Sequence, residues 1–264
     1  MSTPPRPGMA ALRRAAGTSA AWLGREERAR ELLARAREAR SVLNPAQRRE
    51  LRDEQGTRVV LAVVLRASSN AIDVGANEGA VLREIVRLAP AGRHIAFEPI
   101  PGLHQRLREL FPGVDVRRAA LSDVAGTAEF AHVVGAEAYS GLRQRSDLPA
   151  DAAGIERISV QVEPLDDALP SDYVPTLLKI DVEGAELQVL RGAAGTLARH
   201  RPFVLFEHGP GGADVYGTKP VEVFDLLADA AMNVFDLDGA GPYSRDRFEA
   251  TFTEPIWNFL AVPR

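Results

Sequence analysis

From Asn70 to Phe206 the chain alternates short apolar runs with stretches of helical periodicity. Ala71-Ile72-Asp73-Val74 reads as a buried strand, and Gly79 to Leu88 as the helix that follows it. Arg93 to Glu98 is a second strand, ending at Pro99; Leu103 to Leu110 is a second helix, and Val114 to Ala120 a third strand. Leu177 to Ile180 and Phe203 to Phe206 are further short apolar strands, with a helix from Ala185 to Ala198 between them. Strand–helix–strand units of this length pair in parallel through right-handed crossovers. The expectation is a doubly wound α/β sheet, completed by a helix at Val221 to Ala231 and strands at Asn233 to Leu237 and Ile256 to Val262.

Two segments depart from this pattern. Between Thr127 and Val162, the runs Ala128 to Val133 and Ile158 to Val162 alternate as half-exposed antiparallel strands do. They predict a hairpin inserted at about 127–162, before the fourth core strand and near the ligand end of the sheet. At the other extreme, Met1 to Ser19 is rich in Pro, Ala, Gly and Arg and reads as poorly ordered. Trp22, Leu23, Ala29, Leu32, Leu33 and Ala36 then recur at helical spacing, and Asn44-Pro45 reads as the N-cap and first turn of a helix running toward Arg66. Residues 1–57 are expected to be a partly disordered, basic helical extension, and 58–264 the main domain.

Composition narrows the classes. A chain of 264 residues accommodates one well-buried domain and an appendage. Cysteine is absent, which removes disulfides, thiolate metal sites and cysteine nucleophiles together. The longest apolar run, Val59 to Leu65, is too short to span a bilayer, and the residues near Met1 lack the order of a secretory signal. A reducing, cytoplasmic setting is the expectation. Residues 1–58 hold 13 Arg against 7 acidic residues, so the net charge of -4 hides an acidic main domain. Glu26, Glu27, Glu31 and Glu38 interleave with those arginines, which favours a solvated helix over an arm for nucleic acid or membrane. Docking of a partner or self-association into a homo-oligomer through this segment is left open.

The strongest chemical signal is Asp73-Val74-Gly75-Ala76-Asn77-Glu78-Gly79, where a strand turns into a helix. Gly75 permits a tight turn and Gly79 close helix packing. Asn77 stands where a dinucleotide fingerprint requires a glycine to admit the pyrophosphate, and Asp73 adds a carboxylate that repels one. Glu98 ends the second strand, where an acidic residue takes ribose hydroxyls. Ser122-Asp123 follows the third strand and offers an edge contact to a purine or, equally, an ordinary turn.

Together these residues resemble the class I, Rossmann-like methyltransferases that use S-adenosylmethionine. "AIDVGANEG" at 71–79, "AFEPIP" at 96–101, "AALSD" at 119–123 and "LLKIDVEGAELQVLRGA" at 177–193 sharpen the resemblance to the FkbM family, over roughly Arg58 to Arg264. That resemblance implies a seven-stranded sheet with an antiparallel last strand and a methyl donor bound at the carboxyl ends of the first strands. Asp73, Gly75, Asn77 and Gly79 would then line the methionine and ribose part of the donor, Glu98 would hold the ribose hydroxyls, and Ser122 and Asp123 would lie beside the adenine. It further implies O-methylation of a small-molecule, sugar or glycan acceptor.

An alcohol gains from a base or metal as its proton leaves. Asp181 and Glu183 follow the fourth strand, and Glu207 and His208 the fifth. His208 is the first candidate base, with its near-neutral ordinary pKa, and Asp181 and Glu207 are its companions. Asp181, Glu207 and His208 are also the candidate ligands of Mg²⁺ or Mn²⁺. Lys179, within an apolar strand, reads as one half of an ion pair. Tyr139 to Leu142 and the glycine-bearing stretch Gly209 to Gly217 are candidate rims, the latter a mobile lid. Two competing readings stand beside the methyltransferase: a nicotinamide-dependent oxidoreductase, and a binding domain that has lost catalysis.

Overall fold

A computed structural model describes residues 45–264 except 146, 147, 149–151 and 255. The helix expected within 21–39 and the segment 1–19 lie outside the described residues. The first described helix, α1 (Pro45–Val64), runs unbroken through residue 57, where the sequence suggests a boundary. Among the described residues no helix is long and apolar enough to cross a membrane.

The core is the sheet that the apolar runs predict. Strands β1 (Ala71–Val74), β2 (His94–Phe97), β3 (Asp115–Arg117), β7 (Leu177–Ile180), β8 (Phe203–Glu207), β9 (Met232–Asp236) and β10 (Asn258–Pro263) form seven strands in the order β3-β2-β1-β7-β8-β10-β9. The first five are mutually parallel, and β10 runs antiparallel to both neighbours. Strands β1, β2 and β7 are buried at every residue because helices cover both faces, which is why their sequences read as unbroken apolar runs.

On one face Val60, Leu61 and Val64 of α1 meet Ile85 of α2 (Ala80–Leu88) and Leu177 and Leu205 of the sheet; α3 (Pro101–Leu110) adds Leu107 against Ala96. On the other, α5 (Glu186–Gly192), α6 (Ala194–His200), α8 (Pro220–Asp229) and α9 (Arg245–Thr251) pack on Leu178, Ile180, Val204 and Phe206. Phe248 of α9 lies at the centre of an aromatic cluster, 4.9 Å from Phe259 and 6.4 Å from Phe206 between ring centroids.

Two expectations are corrected. The third strand is not continuous over 114–120. Its first half, β3, pairs with β2, and its second half, β4 (Ala119–Leu121), leaves the main sheet to pair in parallel with β6 (Gly154–Glu163). The expected hairpin of β5 (Gly126–Val134) and β6 is present, and β4 makes it a separate three-stranded sheet, β4-β6-β5. The helix expected over 185–198 is two. The Asp166 carboxylate of α4 (Leu165–Ala168) accepts hydrogen bonds from the Gly195 and Thr196 amides at 2.7 Å each, so the chain restarts as α6 on a borrowed cap.

Truncating Phe248, wholly buried in the aromatic cluster, leaves a cavity the sheet cannot collapse into. Phe248→Ala is expected to lower the unfolding free energy by about 3–5 kcal/mol in urea titration. A loss under about 1 kcal/mol contradicts this packing.

Candidate active site

The site begins where β1 meets β7, at the switch point of the sheet. Gly75 has φ 75°, and a Cβ there would stand 1.9 Å from the Asp181 carbonyl oxygen, so the loops leaving β1 and β7 touch backbone to backbone. Beneath them Lys179 places its Nζ 3.1 Å from Asp73, 2.8 Å from the Gly75 carbonyl oxygen and 3.6 Å from Asp181. Burial by itself would lower the ammonium's pKa; the Asp73 and Asp181 carboxylates outweigh it and hold Lys179 above the ordinary lysine range. Asp73 is wholly buried, and the cleft is not lined by it. The structure therefore makes Asp73 the counter-charge under the glycine loop, in place of the expected ligand contact. Gly79 is likewise part of the packing: a Cβ would lie 2.7 Å from Leu107 and from Phe111.

Gly75, Asn77 and Glu98 do line a cleft, of about 680 Å³. Asn77 adopts a left-handed conformation, φ 47°, and its amide donates to Glu98 Oε2 at 2.8 Å. The Ile100 amide donates to Glu98 Oε1 at 2.9 Å. Both carboxylate oxygens are thus fixed by backbone donors, and each keeps a lone pair for a ligand. Burial pushes the Glu98 carboxyl up to about 7, against the pull of those two amides.

The cleft has two halves. Ile100, Leu103, Ala120, Leu121, Phe130 and Leu142 form an apolar pocket, with Phe130 and Leu142 contributed by the inserted segment. Glu98, Glu137, Asp181 and Glu183 supply four carboxylates, and Lys179, paired with Asp73 and Asp181, lines the groove that continues from it past Gly75 and Asn77. Ser122 and Asp123 do not reach this lining. The Ser122 hydroxyl donates to Asp123 at 3.1 Å, and the Ser122 carbonyl is covered by Gly192, where a Cβ would approach to 2.0 Å. The pairing of β4 with β6 points Leu121 into the pocket and leaves Ser122-Asp123 beyond its edge.

At the far end of the cleft, ligand atoms of Asp181, Glu183 and Glu207 all lie within 4.8 Å of one another. Glu183 sits at φ 59° and pairs with Arg145 of the inserted segment. Glu186, buried behind them, accepts from the Val182 and Gly184 amides at 3.2 and 3.0 Å. Burial, reinforced by the Asp181 carboxylate and only partly offset by Arg145, pushes Glu183 up to about 8. Burial takes Glu186 to about 7. Glu207 is driven well above the ordinary range, first by burial and then by Asp181, Glu183 and Glu186.

His208 is not where the sequence reading places a base. Its ring stacks on Phe248 at 5.9 Å and meets Phe252 in a tilted contact at 5.5 Å, and burial lowers its pKa to about 4. It lines a small recess of about 220 Å³ with Glu183 and Glu207, outside the main cleft. The carboxylate triad accordingly contains Glu183 in the position expected for His208. Glu207, the last residue of β8, joins the carboxylates, while the ring of the following His208 lies against Phe248 and Phe252.

The rims are also more rigid than their glycines suggest. A Cβ on Gly184 would come within 2.2 Å of Gly212, so those glycines serve close backbone contact. Tyr216 accepts from the Arg143 amide at 2.9 Å, and Arg143 donates to the Val215 carbonyl at 3.0 Å. The inserted segment thus clasps the 209–217 loop through Arg143 and the acidic cluster through Arg145. Neither arginine carries a sequence signal; the alternation in β5, which puts Phe130 on one face, does.

A family model described as the methyltransferase FkbM domain matches residues 73–231. The methyltransferase sdnD of Sordaria araneosa is 30% identical over 153 residues, covering 46% of this chain and 59% of sdnD. The 2-O-methyltransferase NoeI of Sinorhizobium fredii is 27% identical over 186 residues, covering 64% and 75%. The AMB antimetabolite synthetase AmbE of Pseudomonas aeruginosa is 30% identical over 183 residues, 55% of this chain and only 9% of that protein. Among solved structures, methyltransferase FkbM from Methylobacillus flagellatus is 18% identical with a TM-score of 0.47, covering 75% of this chain and 44% of that one.

The raised carboxyls set the pH dependence of stability. A carboxyl whose pKa is higher folded than unfolded binds its proton more tightly in the native state, so stability falls as pH climbs from the ordinary to the raised value. His208, lowered from 6.5 to about 4, opposes this only below pH 6.5. Between pH 6.5 and about 8 the ligand-free protein is therefore expected to lose stability, by up to about 1.4 kcal/mol per pH unit for each such group. Thermal melts should show the decline, with a shallower slope in Glu183→Gln. A flat or rising profile contradicts the assigned burial of these groups.

Proposed function

Since this chain belongs to the methyltransferase FkbM family, we propose that it transfers a methyl group from S-adenosylmethionine to a hydroxyl of a sugar, glycan or natural-product scaffold. The observation that carries the reading is the charge of the cleft: four carboxylates line it, and Lys179 of the adjoining groove is already paired with Asp73 and Asp181. S-Adenosylmethionine brings a sulfonium, an ammonium, a ribose diol and a purine. The purine suits the pocket of Ile100, Leu121 and Phe130. The diol suits the open lone pairs of Glu98, and the cationic part suits the end near Asp181. A nicotinamide dinucleotide would set its pyrophosphate against the same carboxylates, with Asn77 in place of the glycine that admits it.

The transfer is an in-line displacement: the acceptor oxygen forms its bond to the methyl carbon as the carbon–sulfur pair returns to sulfur. The hydroxyl proton leaves toward Asp181, Glu183 and Glu207; burial first, and neighbouring carboxylates second, raise the proton affinity of Glu183 and Glu207. His208, poorly basic and turned to the aromatic cluster, is not the base in this reading. The name 2-O-methyltransferase given to NoeI supports an oxygen acceptor.

Calorimetric titration with S-adenosylmethionine, S-adenosylhomocysteine and NAD(H) tests the reading. Both sulfur nucleosides are expected to bind at one site per chain, and Glu98→Ala to weaken them about 10- to 100-fold through loss of a charged hydrogen-bond acceptor. Binding of NAD(H) alone contradicts it.

A further inference from the structure

The acidic cluster lies at a junction. Asp181 and Glu183 line the main cleft, while Glu183 and Glu207 line the small recess behind it. Three carboxylates within 4.8 Å of one another, with Glu186 buried behind them, repel strongly in a poorly solvated place. Two cations nearby are already engaged: Arg145 pairs with Glu183, and Lys179 is shared between Asp73 and Asp181. The arrangement is short of positive charge.

A second, independent feature points to what supplies it. His208 is only 3% exposed, lines the same recess as Glu183 and Glu207, and has no hydrogen-bond partner on either ring nitrogen. A buried imidazole without a partner is costly, and the aromatic stacking on Phe248 and Phe252 satisfies neither nitrogen. The recess is narrow, with room for about one water beside the carboxylates. Small divalent cations take oxygen ligands and keep part of their hydration shell, so water on such an ion would give the imidazole its missing partner.

We propose that Asp181, Glu183 and Glu207 bind one Mg²⁺ or Mn²⁺ ion at the junction of cleft and recess, with His208 hydrogen-bonded to its water. All three protein ligands are carboxylates, which selects a hard cation over zinc or copper. Arg145 holds one Glu183 oxygen and orients the other toward the junction. The ligand set differs from Asp181, Glu207 and His208, the set the sequence suggests, because the His208 ring is held against Phe248 and Phe252 and acts through water. For the methyl transfer proposed above, on which only this last role rests, a bound ion would lower the pKa of an acceptor hydroxyl beside it.

The test is Mn²⁺ titration of the full-length, ligand-free protein, read from the loss of the electron paramagnetic resonance signal of free Mn²⁺, with S-adenosylhomocysteine binding measured on the same samples. One Mn²⁺ per chain, displaced by Mg²⁺, is expected. Glu207→Gln is expected to weaken it at least about 10-fold, and His208→Phe, which keeps the aromatic stacking, to weaken it by a similar factor. Asp181→Asn serves if Glu207→Gln loses its native circular dichroism. Glu207 is not among the residues lining the purine and ribose parts of the cleft, so S-adenosylhomocysteine should still bind Glu207→Gln at one site per chain. No signal loss at millimolar Mn²⁺, or binding untouched by the carboxylate variants, overturns the ion site while leaving the donor reading intact. Mn²⁺ binding without nucleoside binding supports the ion site and contradicts the donor reading.

Discussion

One buried ammonium, Lys179 Nζ, ties the two halves of this sheet together at the point where a ligand can enter. It lies 3.1 Å from Asp73 on β1 and 2.8 Å from the Gly75 carbonyl oxygen, and it belongs to β7. Such a pair contributes little net stability over an apolar pair, yet leaving either partner alone in that place is strongly destabilising. What it does supply is position. With Gly75 held against Asp181, the next residues must turn so that the Asn77 amide reaches Glu98. The orientation of Glu98 thus follows from an ion pair that makes no contact with Glu98 itself.

The second constraint is unbalanced charge. Four carboxylates face the cleft, and the two arginines that the insertion brings near it are used on Glu183 and on the 209–217 loop. Burial raises the proton affinity of Glu98, Glu183 and Glu186, and the protein carries that cost in its ligand-free form. Sites that tolerate such a cost are commonly functional ones. A cationic donor on one side and a divalent ion on the other would each relieve part of it. The apolar half has a different origin: Phe130 and Leu142 come from the inserted sheet, which closes over the turn after β2.

The core strands were legible because burial on both faces leaves an unbroken apolar run, and Glu98 because it ends such a run. The glycine loop was legible in kind and misread in part. Gly75 and Asn77 line the cleft, but a local motif does not tell that Asp73 faces Lys179 or that Gly79 faces Phe111. The bend after Arg117 depends on the free edge of β6, more than thirty residues further on, so no window around Ser122 could reveal it. Glu183 and Arg145 meet across an insertion, and His208 was placed with Glu207 because adjacency in sequence does not tell that its ring lies against Phe248 and Phe252. Long-range pairing, not local propensity, decided each of these.

The central claim, that this cleft is built for a cationic nucleoside, is tested most directly by a crystal structure of the protein grown with S-adenosylhomocysteine. The account predicts the purine between Ile100 and Phe130, the ribose diol on Glu98, and the amino-acid end toward Asp181. A nucleoside bound elsewhere, or bound here with its ribose away from Glu98, would contradict it.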